Sequence, residues 1–184
     1  MNHFRAWYGV VVTVALFLGG CAGGATAQGM TVTPAEIKAP ASPDVAKAVG
    51  VNVVSGGHAT DPLWASQIAS KEFRSALVSS LRAAGLLTDG ARPRYLVSAE
   101  LIALDQPAFG FSMQVTSRIR YTLKDAKTDA VVLTTEVVAP YTATMADSIV
   151  GPRRLRLANE GSARKSIAAL IAKLNAAGTT PRAL

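Results

Sequence analysis

Cysteine and histidine, which often act as nucleophiles, general bases or metal ligands, are rare in this 184-residue chain. There is one cysteine, Cys21, and there are two histidines, His3 and His58. A catalytic histidine needs a nucleophile and an orienting acid, and Asp61 is the one acid close to His58. His58 lies in a glycine-rich turn, where a solvated histidine is the ordinary case. Because phosphate-binding loops, nucleophile elbows and zinc-protease motifs are also absent from the sequence, we expect no catalytic residue, no metal site and no cofactor.

A pair of carboxylates, Glu100 and Glu136, is the other arrangement suited to acid–base chemistry. Both are expected on the open face of a sheet, with Arg118 and Arg120 on the strand between them. A glycosidase-type pair needs one carboxyl group with a raised pKa, which two neighbouring arginines oppose. We therefore predict structural cross-strand ion pairs, worth about 0.2–1 kcal/mol each. Hydrolysis of an envelope polymer is the alternative function that these two carboxylates would perform.

Basic side chains concentrate at the start of the last predicted helix, at Arg153, Arg154 and Arg156, in a chain of formal net charge +7. Arginines at a helix N-terminus oppose the helix dipole by about 0.3–1 kcal/mol each. This cost favours contact with an anion such as a lipid head group, a lipopolysaccharide phosphate or an acidic partner. The alternative is a solvated helix face with Arg156–Glu160 and Glu160–Arg164 pairs at i,i+4 spacing. Glu160 also falls near the apolar stripe of this helix, so we predict an anchoring salt bridge for it rather than catalysis.

The N-terminal residues have the pattern of a targeting segment. Arg5 is followed by an apolar run from Val10 to Leu18 in which Thr13 is the one polar residue. The run is shorter than the roughly 20 residues of a membrane-spanning helix and is typical of a secretory signal peptide. It leads directly into Leu18-Gly19-Gly20-Cys21, which resembles the lipobox of bacterial lipoproteins. The resemblance implies removal of residues 1–20 and attachment of diacylglycerol and palmitate chains at Cys21.

Two or three acyl chains on Cys21 would anchor the protein stably, since each buried methylene contributes about 0.8 kcal/mol. In lipoproteins of this kind an aspartate after the cysteine favours retention in the inner membrane. Ala22 stands there instead, so the resemblance implies the outer membrane, on its periplasmic side. The expected partners are then the membrane itself, an envelope protein or an anionic lipid, and not nucleic acid. Oligomeric state stays open, because the exposed edges of a small sheet permit dimerisation.

Composition divides the rest of the chain into a linker and one domain. Residues 22–47 are rich in Ala, Gly, Thr and Pro without a regular hydrophobic period. With Cys21 they are predicted to form a flexible tether, 21–47, that reaches about 25–30 Å. A single domain is predicted over residues 48–178, followed by a tail at 179–184.

The hydrophobic pattern of that domain predicts the order β-α-β-β-β-α. One helix is expected to begin at Asp61-Pro62 and end at Gly85, and the last to run from Pro152 to Ala176 before Gly178. Alternation indicates strands near residues 49–53, 95–103, 113–123 and 131–139. The core-facing sets are expected to include Ala103 on the second strand and Val131 on the fourth. Two helices on one face of a mostly antiparallel four-stranded sheet define an α+β fold.

A further resemblance concerns the first helix and the strand after it. Phe73 to Leu86 has the pattern F-x₂-A-L-x₃-L-x₃-G-L, and an alternating segment follows from Tyr95 to Leu104. With the lipobox, this resembles small envelope lipoproteins of the YajG type, which implies a non-enzymatic protein that binds a protein partner or an envelope component. The architecture is also similar to the lipoprotein that plugs the lipopolysaccharide-assembly barrel and to auxiliary lipoproteins of ABC-type lipid transporters. An accessory role in lipid or lipopolysaccharide transport is therefore the alternative, with no functional residue carried over.

Overall fold

The fold was analysed in a computed structural model that describes residues 23–60, 66–90 and 92–179. A short helix and a 3₁₀ turn precede the elements predicted from the sequence. In chain order the elements are α1 (Ala27–Met30), the 3₁₀ turn (Pro34–Glu36), β1 (Val49–Ser55), α2 (Ser70–Ala83), β2 (Tyr95–Asp105), β3 (Met113–Asp125), β4 (Val131–Ala143) and α3 (Gly151–Thr179). The predicted α+β class and the order of the main elements are confirmed.

The four strands form one sheet in the order β1-β2-β3-β4. β1 pairs with β2 in parallel through the α2 crossover, and the other two pairs are antiparallel. β3 shows how the sheet has one dry and one wet side, since Ile119 and Tyr121 are buried while Arg118 and Arg120 are exposed. α2 and α3 cover the dry side, so the open side carries the charged residues.

Irregular pairing changes which residues of two strands face the core. In β2, Leu101 pairs with Ile119 but Ala103 pairs with Arg118. The extra residue reverses the alternation, so Leu104 packs against the core and the expected core position of Ala103 is wrong. A second irregularity lies at the start of β4, where Val131 is 58% exposed and the expectation of a core position is also wrong.

The helix boundaries differ from the sequence pattern at two places. Residues 66–69 are not helical and α2 begins at Ser70, so the helix does not run on from Asp61-Pro62, which lie outside the described residues. Gly85, with φ +70°, follows the end of α2 as expected for a C-terminal glycine. α3 continues to Thr179, so Gly178 does not terminate it. At 29 residues, this helix is about 43 Å long.

Residues 23–48 pack into the domain, and the expectation of a flexible tether is wrong for this part of the chain. Met30 and Val32 are 0% and 1% exposed, and Ala25 and Val45 are each 3% exposed. The Val32 N–H donates to Ser80 Oγ of α2 at 2.9 Å. The few apolar residues of this segment fill the space between α2 and α3, so the folded unit includes residues 23–47 and does not begin at residue 48.

No helix within the described ranges is long and apolar enough to span a bilayer.

Candidate functional site

The three arginines predicted as an anion site do not form one open surface. Arg154 is 5% exposed, and its guanidinium donates to Ser148 O at 2.6 Å and to Gly110 O at 2.8 Å. Arg154 therefore joins two loops, and the expectation that it contacts an anion is wrong. Arg156 is half-buried with Nε 3.8 Å from Glu160 Oε1, whereas Arg153 is exposed to solvent.

Glu160 binds the N-terminal segment. Its Oε1 accepts hydrogen bonds from Thr26 N at 2.9 Å and Thr26 Oγ1 at 2.8 Å, and the residue is 6% exposed. The expected Glu160–Arg164 pair is not formed. Arg164 instead contacts Glu36, with Nε 3.1 Å from Oε1, and donates to Gly29 O at 2.8 Å. Glu160 and Arg164 of α3 thus bind the segment that was predicted to be a flexible tether.

Hydrogen bonding outweighs burial at the carboxyl group of Glu36. Partial burial raises its pKa. Hydrogen bonds from the Thr33 N–H and hydroxyl group, together with the nearby Arg164 guanidinium, lower the pKa by a larger amount. The net result is a pKa below the ordinary value of 4.5. The ionised form of Glu36 is therefore the one that binds Arg164.

The carboxylates on the open face of the sheet lie beside arginines. Arg120 Nη1 is 3.0 Å from Glu100 Oε2, and Arg120 Nη2 is 3.6 Å from Glu136 Oε2. Arg118 Nη1 is 3.6 Å from Glu136 Oε1. All four side chains are 39–53% exposed, where such pairs contribute at most about 1 kcal/mol.

The remaining candidate groups form no cluster among the described residues. His58 is exposed, and Asp61, the acid nearest to it in the sequence, lies outside the described residues. In the described part of the chain, no three His, Cys, Asp or Glu residues come together as a metal site. Cys21 and the lipobox lie outside this part, so lipidation stays a prediction.

A groove of about 1000 Å³, which no local sequence pattern predicts, runs along the C-terminal half of α3. Its other walls are the segment 36–43 and the outer strand β4. The lining is mainly apolar and includes Val32, Ile37, Val137, Ala139, Ala168 and Ile171. Alanines on α3, such as Ala169 and Ala172, leave room between the helix and the segment. We call this feature the α3–β4 groove.

Polar groups of the α3–β4 groove are few. Lys38 and Lys165 are exposed lining residues, and within the described residues neither forms an ion pair with a carboxylate. Lys165 Nζ donates to Pro140 O at 3.1 Å and lies 5.4 Å from the centre of the Tyr141 ring. Ser42 also lines the groove; it is 6% exposed, and its Oγ has no hydrogen-bond partner among the described residues. The groove thus combines mainly apolar walls with two ammonium groups and one carboxylate, that of Glu36.

Comparison with known proteins supports the fold and not a family. No protein-family model matches the chain, and no curated protein is similar to it in sequence. It resembles a solved protein of the DUF330 family from Xanthomonas campestris, with a TM-score of 0.58 and 16% identity over 85% of this chain and 95% of that one. A provisionally assigned lipoprotein from Caulobacter crescentus has a TM-score of 0.52 and 14% identity, over 73% and 94% of the two chains. The chain therefore shares the fold of these two solved proteins, and the YajG-type assignment stays a prediction.

Proposed function

We propose that this protein is a non-catalytic lipoprotein of the bacterial envelope, anchored through Cys21 in the outer membrane and facing the periplasm. We further propose that the α3–β4 groove binds the acyl chain of an anionic amphiphile. The observation that carries the second part is the groove itself, with its apolar walls and its two lysines. The fold shared with the two solved proteins supports the first part.

The lining of the groove suits a hydrocarbon chain. Ligand pockets have volumes of about 300–1,000 Å³ and are mainly apolar with a few polar groups that fix orientation, and this groove, of about 1000 Å³, is at the upper end. Each methylene removed from water contributes about 0.8 kcal/mol. An acyl chain along Val137 and Ile171 would gain this free energy without any base, nucleophile or metal.

The two lysines determine the charge of the head group that fits. Lys38 and Lys165 are free of carboxylate partners within the described residues, and the one acid of the lining, Glu36, is neutralised by Arg164. A carboxylate or phosphate at the mouth would therefore meet net positive charge. Transfer of a lipid between envelope components, the accessory role considered above, would use the same groove.

Displacement of a fluorescent fatty acid tests this proposal. A form that begins at Gly23 keeps all the described core residues, and palmitate or lysophosphatidylglycerol should displace the dye from it. Ala172→Trp fills the groove from an exposed lining position, whereas Ala177→Trp adds the same bulk at an exposed position of α3 outside the groove. We expect Ala172→Trp to weaken binding at least about tenfold, equivalent to 1.4 kcal/mol, and Ala177→Trp to leave it unchanged.

Charge reversal tests the head group separately. Lys38→Glu with Lys165→Glu should weaken binding of the anionic amphiphiles but not of a neutral monoacylglycerol. Lys173→Glu is the matched control, since Lys173 is exposed on α3 but is not part of the groove lining. The proposal is wrong if the parent domain binds no amphiphile, or if Ala172→Trp and Ala177→Trp act alike. If the groove binds a peptide of an envelope protein instead, the parent domain will bind no amphiphile.

A further inference from the structure

Two loops at one end of the domain carry its most exposed large apolar side chains. Phe109 and Phe111, in the loop between β2 and β3, are 87% and 81% exposed. Ile149, in the loop between β4 and α3, is 81% exposed, and Met145 and Val150 beside it are about half exposed. We call these five residues the apolar tip. Exposed apolar residues grouped in this way mark contact surfaces for proteins or membranes.

The apolar tip rests on an ordered base. Arg154 donates to Gly110 O in one loop and to Ser148 O in the other, so a single guanidinium holds the two loops together. The Asp147 carboxylate accepts from Thr144 N at 2.7 Å and Thr144 Oγ1 at 3.0 Å, which closes the second loop. A second hydrophobic cluster, separate from the main core, lies at this end of β3, β4 and α3 and contains Met113, Val115, Ala143, Leu155 and Ala158. The tip residues are therefore outside a core that is already filled.

The described chain begins at the same end of the domain. Ser66 Oγ donates to Gly23 O at 2.8 Å, and Ser66 O accepts from Gln106 Nε2 at 2.8 Å and from Asn159 Nδ2 at 2.9 Å. Gln106 directly follows β2 and begins the loop that carries Phe109. Cys21 precedes Gly23 by two residues, which span at most about 7 Å. Acyl chains on Cys21 would thus enter a bilayer close to the apolar tip.

We propose that the apolar tip inserts into the surface of the phospholipid bilayer that holds the acyl chains of Cys21. This inference rests on the lipid anchor of the proposed function but not on the groove. Phenylalanine and isoleucine side chains suit the boundary between head groups and acyl chains, and Arg153, three residues after Val150, supplies an exposed cation for a phosphate. With no flexible tether after Gly23, the domain lies on the membrane in one orientation instead of hanging from it.

Site-specific fluorescence in the lipidated, full-length protein tests this orientation. Cys21 is the only cysteine, and acylation blocks its thiol, so a cysteine introduced elsewhere takes up a single environment-sensitive nitrobenzoxadiazole label. Phe111→Cys reports on the apolar tip. Thr128→Cys is the matched control, because it is exposed in the turn between β3 and β4, at the far end of the same strand. Both proteins are reconstituted in vesicles of phosphatidylethanolamine and phosphatidylglycerol.

We expect the label at residue 111 to be quenched several-fold more by nitroxide lipids than the label at residue 128, and less by aqueous iodide. Equal quenching at the two positions in a protein whose intact mass includes the acyl chains would overturn the docking orientation and leave the anchor standing. A mature mass without acyl chains would overturn the anchor and this inference with it. Amphiphile binding by the groove is measured without a membrane and is decided separately.

Discussion

Glu160 on α3 accepts two hydrogen bonds from Thr26, a residue 134 positions earlier in the chain, at 2.9 Å from the backbone N–H and 2.8 Å from the hydroxyl group. The carboxylate is nearly buried, and Arg156 Nε lies 3.8 Å from it. Because Thr26 is the N-cap of α1, this contact attaches the first helix of the domain to the last. It also orients the chain just after the predicted anchor.

Substitution of Glu160 should therefore destabilise the fold. Glu160→Gln removes the charge from a buried acceptor of two hydrogen bonds, and we expect the free energy of unfolding to fall by about 1–3 kcal/mol. Glu136→Gln is the control, because Glu136 makes only exposed ion pairs worth at most about 1 kcal/mol. Denaturant unfolding of the form that begins at Gly23 measures both. Equal stabilities of Glu160→Gln and the parent would contradict the anchoring role.

The close approach of α1 to Glu160 predicts an unusual effect of a glycine substitution. A Cβ atom at Gly29 would overlap Cδ of Glu160. Gly29→Ala should therefore destabilise the domain by about 1–3 kcal/mol, although alanine is the better helix former. At Gly151 in α3 a Cβ atom would meet nothing within 4 Å, so Gly151→Ala should be neutral or slightly stabilising. Thermal unfolding of the two variants compares them, and a Gly29→Ala variant as stable as Gly151→Ala would show that the carboxylate moves freely.

Packing of residues 23–48 into the core is tested by a pair of methionines. Met30 is fully buried and Met145 is 48% exposed. We expect Met30→Ala to cost about 2–5 kcal/mol through lost burial and a cavity, and Met145→Ala to change stability by less than about 0.5 kcal/mol. Chemical denaturation measures both variants. If both substitutions are harmless, the segment is a tether in solution after all.

The lowered pKa of Glu36 predicts a dependence of stability on pH. A carboxyl group whose pKa is lower in the folded state stabilises the protein above its ordinary pKa of 4.5. This contribution is lost as the pH falls through the lowered folded-state value. The difference in unfolding free energy between the parent and Glu36→Gln should therefore be constant near neutral pH and shrink in acid. A difference that grows in acid would contradict the hydrogen bonds from Thr33 and the ion pair with Arg164.

The sequence alone predicted the sheet and the helix stripes because these patterns are local. On β3, Ile119 and Tyr121 alternate with Arg118 and Arg120. Because alternate residues of a strand face opposite sides of the sheet, Ile119 and Tyr121 are buried together only when both arginines face solvent. The same argument failed on β2, where the extra residue between Leu101 and Ala103 reverses the alternation. The run Leu101-Ile102-Ala103-Leu104 is apolar throughout, so it fits either phase and the sequence alone does not place the bulge.

The tertiary structure alone decided the contacts between residues that are far apart in the sequence. Met30 and Val32 are too sparse in their segment to show a period, and their burial depends on the space that α2 and α3 leave between them. A separate gap between residues 36–43, α3 and β4 forms the α3–β4 groove. Arg154, predicted to contact a ligand, instead joins two loops. Composition and local spacing thus determined the class of fold and the expected anchor. The groove, the apolar tip and the fastening of the N-terminal segment by Glu160 required the packed chain, because each depends on groups that no local pattern brings together.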